Sequence, residues 1–161
     1  AAMCPGFRGD SVHSGDRETL ALKLRGAGLK PTRQRLQIAR LLFAGKARHV
    51  TAERLFEEAR TERYPPSLST VYNALRDFAR CGLLREVALY GPKLWYDTTT
   101  GSHYHYYVEQ NEELFDMPAN AEPSLAIAPP PGMRIVGVDV VVRLKKAAPA
   151  SATLRACRRE P

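Results

Sequence analysis

Ser69-Thr70-Val71-Tyr72-Asn73-Ala74-Leu75-Arg76 is the stretch from which the rest of the chain can be placed. With Leu68 before it and Phe78 after it, Val71 and Leu75 recur at helical spacing and define an apolar stripe. Tyr64-Pro65-Pro66 is a rigid extended lead-in, and Ser67 or Ser69 can cap a helix that runs to about Arg80. Cys81-Gly82 ends it. Ser69, Thr70, Tyr72, Asn73 and Arg76 lie off the stripe, toward solvent. Hydroxyls, an amide, a phenol and a guanidinium are the groups that reach phosphates and base edges in a major groove. Cys81 reads as a small buried apolar residue rather than a reactive thiol.

Downstream of this helix, residues 83–89 read as a strand, Tyr90-Gly91-Pro92-Lys93 as a turn, and Leu94-Trp95-Tyr96-Asp97 as the returning strand. Upstream lie three shorter helical patterns. The first is capped by Ser14 or Asp16, carries Leu20, Leu22 and Leu24, and stops at Gly26-Ala27-Gly28. The second opens at Thr32 behind Pro31, buries Leu36, Ala39, Leu42 and Phe43, and stops at Gly45. His49-Val50-Thr51 leads into the third, with Thr51 as N-cap and Leu55, Phe56 and Ala59 buried. Short helices followed by a β-hairpin are the pattern of a winged helix-turn-helix, whose last helix enters the major groove. Arg33, Arg35 and Arg40 stay off the core face of the second helix.

Charge divides the chain in the same place. Residues 17–97 hold 16 lysines and arginines against 8 acids, and residues 98–132 hold 5 acids and no lysine or arginine. A basic half followed by an acidic, histidine-bearing one suggests an anion-binding module joined to a cation-binding one. The 161 residues and 44% apolar content allow two small packed domains. No run approaches the length of a membrane span and the start shows no signal-peptide core, so a cytoplasmic protein is expected. Cys4, Cys81 and Cys157 form no CxxC and imply no disulfide framework.

In the acidic segment, Gly101-Ser102-His103-Tyr104-His105-Tyr106-Tyr107 holds two of the four histidines. In an extended strand His103 and His105 point to one face, where they can share a metal ion or approach a haem iron. Residues 104–108 read as a strand, Glu109-Gln110-Asn111-Glu112 as a turn, and Leu114-Phe115-Asp116 as its partner. Residues 121–128 read as a short helix. Residues 133–144 read as one long apolar strand behind Pro129-Pro130-Pro131-Gly132. Three strands cannot cover both faces of their own sheet, which predicts a homodimer through it. The expected fold class is α+β, an N-terminal winged helix-turn-helix followed by a small α/β dimerisation domain. The expected boundaries are a mobile tail at 1–15, a DNA-binding domain at 16–97, a hinge at 98–102, a dimerisation and sensing domain at 103–146, and a mobile tail at 147–161.

Four strings resemble the ferric uptake regulator (Fur) family. Leu24-Arg25-Gly26-Ala27-Gly28-Leu29-Lys30-Pro31-Thr32-Arg33-Gln34-Arg35 resembles its first helix junction, and His49-Val50-Thr51-Ala52-Glu53-Arg54-Leu55 its HxSAExLY segment. Ser69-Thr70-Val71-Tyr72-Asn73-Ala74-Leu75 resembles its recognition helix, and His103-Tyr104-His105 stands where the family has HHDHL. Tyr106-Tyr107, the missing cysteine pairs and the DxVVRLKK-like end look closest to the iron response regulator (Irr) branch. The resemblance implies a dimeric DNA-binding transcriptional regulator of iron or haem homeostasis, not an enzyme. Its implied regulatory site draws His49, Asp97, His103, His105 and Asp116 around a divalent metal (iron, manganese or zinc) bridging the two domains. Ligation across the hinge would set the distance between the two recognition helices of a dimer on a palindromic operator. DNA contacts fall to Arg33, Ser69, Thr70, Tyr72, Asn73 and Arg76. Haem is implied as a second ligand class, with Cys4 of Cys4-Pro5, His103 and His105 as candidate axial ligands.

Two departures stand out. Neither CxxC pair of the family's structural zinc site is present, the first falling near Val108 and Asn111, so no Cys4-type structural zinc is expected. Tyr104 replaces the aspartate of the histidine cluster, which leaves at most one regulatory site per subunit. Two competing readings remain: a peroxide- or manganese-responsive regulator of the same family, and a metalloenzyme using the histidines and carboxylates as a facial triad.

Overall fold

The computed structural model describes residues 17–89, 91–121, 123–124 and 126–146. Both expected tails, with Cys4, Cys157 and the caps Ser14 and Asp16, lie outside the described residues, as does Tyr90 of the turn. The chain forms two compact units that divide between Gly101 and Ser102.

The first unit packs α1 (Arg17–Gly26), α2 (Arg33–Phe43), α3 (Ala52–Ala59) and α4 (Leu68–Arg80) with a small sheet. That sheet comprises β1 (His49–Thr51), β2 (Arg85–Ala88) and β3 (Leu94–Asp97), in the order β1-β3-β2, all antiparallel. Three helices start on the caps expected of them. The side chains of Thr32, Thr51 and Ser67 accept from the backbone N–H of Arg35, Arg54 and Thr70, at 3.4, 3.3 and 3.2 Å. Two end alike. Gly28 and Gly82 adopt φ of +77° and +74°, and the following Leu29 and Leu83 donate back to Leu24 and Phe78, each at 2.9 Å. This is the Schellman arrangement, which needs a left-handed residue after the helix and seats the next apolar side chain on the core. Leu29 and Leu83 do pack there.

Leu24, Ile38, Leu42, Leu55, Leu75 and Phe78 form the centre of the core. Burying each contributes roughly 1.5–3 kcal/mol. Outside it, Arg35 Nη2 meets Asp77 Oδ2 at 2.7 Å, tying α2 to α4. Arg48 holds both carboxylate oxygens of Glu58 and donates to Leu41 O at 3.2 Å. Leu22 is exposed, because on a helix it lies about 200° from both Leu20 and Leu24. Ala21 takes its place in the core. Leu68 is also exposed, and Ala74 completes the buried face of α4.

The second unit is a three-stranded sheet of β4 (His105–Val108), β5 (Glu113–Asp116) and β6 (Val141–Leu144), in the order β5-β4-β6. β4 pairs antiparallel with β5 and parallel with β6. Glu112, at φ 50°, closes the β4–β5 turn. Two expectations fail here. The long strand at 133–144 shrinks to Val141–Leu144, because β4 offers only four residues to pair with. Residues 133–140 form no strand and leave Met133, Ile135 and Val136 exposed. The helix at 121–128 is replaced by a single 3-10 turn at Ala119–Ala121, closed by Ala121 N to Pro118 O at 2.8 Å. Pro123 has no N–H to extend it.

Candidate metal centre and nucleic-acid face

His49 is not the helix lead-in that its position before Thr51 implies. It lies on β1, directly opposite Asp97 on β3. The backbone around the pair is fastened by Arg48, whose N donates to Thr98 Oγ1 at 2.8 Å and whose O accepts from Thr98 N at 3.1 Å. His49 Nε2 stands 3.5 Å from Asp97 Oδ2, with side-chain exposures of 8% and 0%. Asp97 Oδ1 accepts from Thr99 N at 2.7 Å. A fully buried carboxylate needs a compensating cation or donors, and an imidazole alongside it supplies a second metal-type donor atom.

The second unit gathers its own donors. His105 opens β4 and pairs in register with Asp116, the last residue of β5. Its N–H donates to Val140 O at 3.0 Å, and Tyr104 O accepts from Met117 N at 2.8 Å, so the residues just after β5 and just before β6 hold this segment on both sides. His103 precedes the strand rather than belonging to it. Its imidazole still faces the same carboxylate. Nε2 of His103 and of His105 lie 3.2 and 3.8 Å from Asp116 Oδ1. The two rings meet edge-on with centroids 4.5 Å apart. Two imidazoles and a carboxylate, neutral nitrogen with anionic oxygen, are a donor set that fits Fe²⁺, Mn²⁺ or Zn²⁺. Thus His49 meets Asp97, and His103 and His105 meet Asp116. Cys4 lies outside the described residues. Cys81, the one free cysteine among the described residues, donates its thiol to Asp77 O at 2.7 Å and is structural.

The residues singled out on α4 divide by environment. Ser69, Tyr72, Asn73 and Arg76 are exposed, whereas Thr70 is half-buried with its hydroxyl bonded to Ser67 Oγ at 2.8 Å. Arg76 Nη2 donates to Asn73 Oδ1 at 2.9 Å, which aligns two polar groups on one face. The Tyr72 phenol donates to the Glu53 carboxylate on α3. That bond raises the tyrosine pKa above its ordinary 10.0 and lowers that of the glutamate below 4.5. Glu53 was not foreseen: nothing in the sequence pairs an α3 acid with an α4 phenol. Arg33 stacks on the Tyr64 ring at 3.9 Å and lines a different cleft from Thr70 and Asn73.

Comparison with known proteins fits these features. The pattern of the Ferric uptake regulator family matches residues 26–123. The peroxide-responsive repressor PerR of Staphylococcus aureus is 31% identical over 107 residues, covering 66% of this chain and 71% of that protein. The ferric uptake regulator from Pseudomonas aeruginosa, solved with manganese, is 25% identical with a TM-score of 0.59, over 79% of this chain and 97% of that one. The Vibrio cholerae ferric uptake regulator shares the fold, with a TM-score of 0.62 and 21% identity over 78% and 98% of the two chains.

Proposed function

The chain belongs to the ferric uptake regulator family, so it is a metal-responsive transcriptional regulator and not an enzyme, and from that premise we propose that it is a cytoplasmic homodimer reading a palindromic operator through α4. The signal is proposed to be iron, with haem as the second candidate. The observations that carry this reading are the convergence of His103 and His105 on Asp116 in the second unit and, in the first, the buried His49–Asp97 pair. Neither group alone offers the four to six donors that a transition metal takes. We therefore assign all five residues to one ion per subunit.

A bound divalent cation would place a positive charge between these carboxylates and imidazoles. The protein's own part is to hold the donors. The β1–β3 register sets His49 against Asp97, and the β4–β5 register sets His105 against Asp116. On α4, Ser69, Thr70, Tyr72, Asn73 and Arg76 would contact the operator, with Arg33 contributing from the start of α2. Ligand binding can change operator affinity only by its differential affinity for the two states of the protein.

Metal analysis and a haem titration of the purified protein, with operator affinity measured in each state, test the proposal. The double variant His103→Ala/His105→Ala should still fold but lose the response. A double variant that responds like the native protein would sink the sensing role. A second reading has support of its own: the similarity to a peroxide-responsive repressor, and to a regulator solved with manganese, favours peroxide or manganese as the signal. Measuring operator release by peroxide in the iron-loaded and manganese-loaded protein separates the two.

A further inference from the structure

A cleft of about 320 Å³ opens in the first unit among α1, α2 and the segment that leads into α4. Arg17, Arg33, Arg40 and Arg63 line it, with Glu62 the only acid in its wall. Arg40 pairs with Glu62. Arg33 lies 3.9 Å and Arg63 5.3 Å from the centroid of the Tyr64 ring. Among the described residues, Arg17, Arg33 and Arg63 have no carboxylate partner. Elsewhere in the unit, Arg35, Arg48 and Arg60 each hold one, on Asp77, Glu58 and Glu57. Three guanidiniums without a carboxylate partner therefore line one concavity.

We propose that this cleft binds a phosphate group, either from the DNA backbone beside the recognition helix or from a free phosphoanion. A guanidinium presents two parallel N–H donors that match phosphate oxygens, and stacking on an aromatic face leaves those edge donors available. The tyrosine face is taken by Arg33, so the cleft favours the charged group over an aromatic ring. Its wall includes none of Ser69, Thr70, Tyr72, Asn73 and Arg76, so it adds an anchor instead of repeating the α4 contacts. The DNA source rests on the regulator reading above; the free-anion source does not.

The test compares the native protein, Arg17→Gln/Arg63→Gln and the control Arg60→Gln, all checked for an unchanged thermal midpoint. Pyrophosphate is titrated by calorimetry without DNA, and duplex affinity is measured across salt concentrations. If the phosphate comes from DNA, the double variant flattens the log–log salt slope of a dimer by about 1.8, one phosphate per subunit at roughly 0.9 each. If it is free, the native protein and Arg60→Gln bind pyrophosphate and the double variant loses at least tenfold in affinity. A double variant matching the control in both measurements overturns the proposal, while operator binding that persists leaves the regulator reading intact. A protein that binds no duplex removes the DNA source and the regulator reading together, and pyrophosphate alone then decides the cleft.

Discussion

Tyr72 and Glu53 show how one contact can set both the chemistry and the aim of an exposed side chain. The phenol is held by a carboxylate one helix away, so the fold itself orients it. The pH consequences have opposite signs at the two ends. Glu53 has a folded pKa below 4.5, so its contribution is complete above that value and is lost as pH falls through the folded pKa. Tyr72 has a folded pKa above 10.0, so its contribution is present below that value and is lost as pH rises through the folded pKa. Tyr72→Phe should therefore flatten both limbs of a urea-midpoint profile against pH and leave neutral stability within about 1 kcal/mol of native. Unchanged limbs would show that the bond does not persist in solution. A contact between residues 53 and 72 has no periodic signature, which is why sequence reading named Tyr72 and missed its partner. The candidate metal donors differ: His103 and His105 stand out by spacing, whereas His49, Asp97 and Asp116 are assigned by resemblance to a family.

At the scale of elements, legibility followed whether the signal was local. Caps and apolar stripes lie within one helix, and Thr32, Thr51 and Ser67 cap where expected. β1 was missed because three residues at the foot of a helix show no alternation, and their partner β3 lies more than forty residues downstream. The reverse error occurred at 133–140, where an apolar run reads as strand but meets no partner strand. Helix ends give a sharp test. Gly82 has φ +74° with nothing within 4 Å of an added Cβ, so Gly82→Ala would suffer only backbone strain. A loss of about 1–2 kcal/mol is expected by chemical denaturation. Gly26 has equal space without the positive φ, and Gly26→Ala should be neutral or stabilising by about 0.4–1 kcal/mol. Equal effects at the two glycines would contradict the Schellman account.

For the whole molecule, the second unit raises the question of what covers its apolar side chains. Phe115, Ile135, Val136 and Val142 are exposed, and Val136 is 89% accessible. β5 and β6 are both sheet edges, which in a lone subunit invite pairing with another chain. Val136→Asp should shift sedimentation from dimer toward monomer, weakening association on the order of tenfold or more if the residue is central. An unchanged dimer would place the interface elsewhere.

Metal sharing makes a sharper whole-molecule prediction, because it turns on coupling rather than on loss. An ion bound at a hundredfold excess over its Kd stabilises the folded protein by about 2.7 kcal/mol. Suppose His49 and His103 served separate ions. Then the manganese-induced rise in Tm would fall by independent amounts in His49→Gln and His103→Gln, and the double variant would lose the sum. If all five donors hold one ion, either single variant removes most of the rise and the double variant removes little more. Both substitutions keep a polar side chain of similar size, and the metal-free Tm of each variant provides its own baseline. Strict additivity would assign each donor group its own ion, and the sensor would then have to be rebuilt from His103, His105 and Asp116 alone.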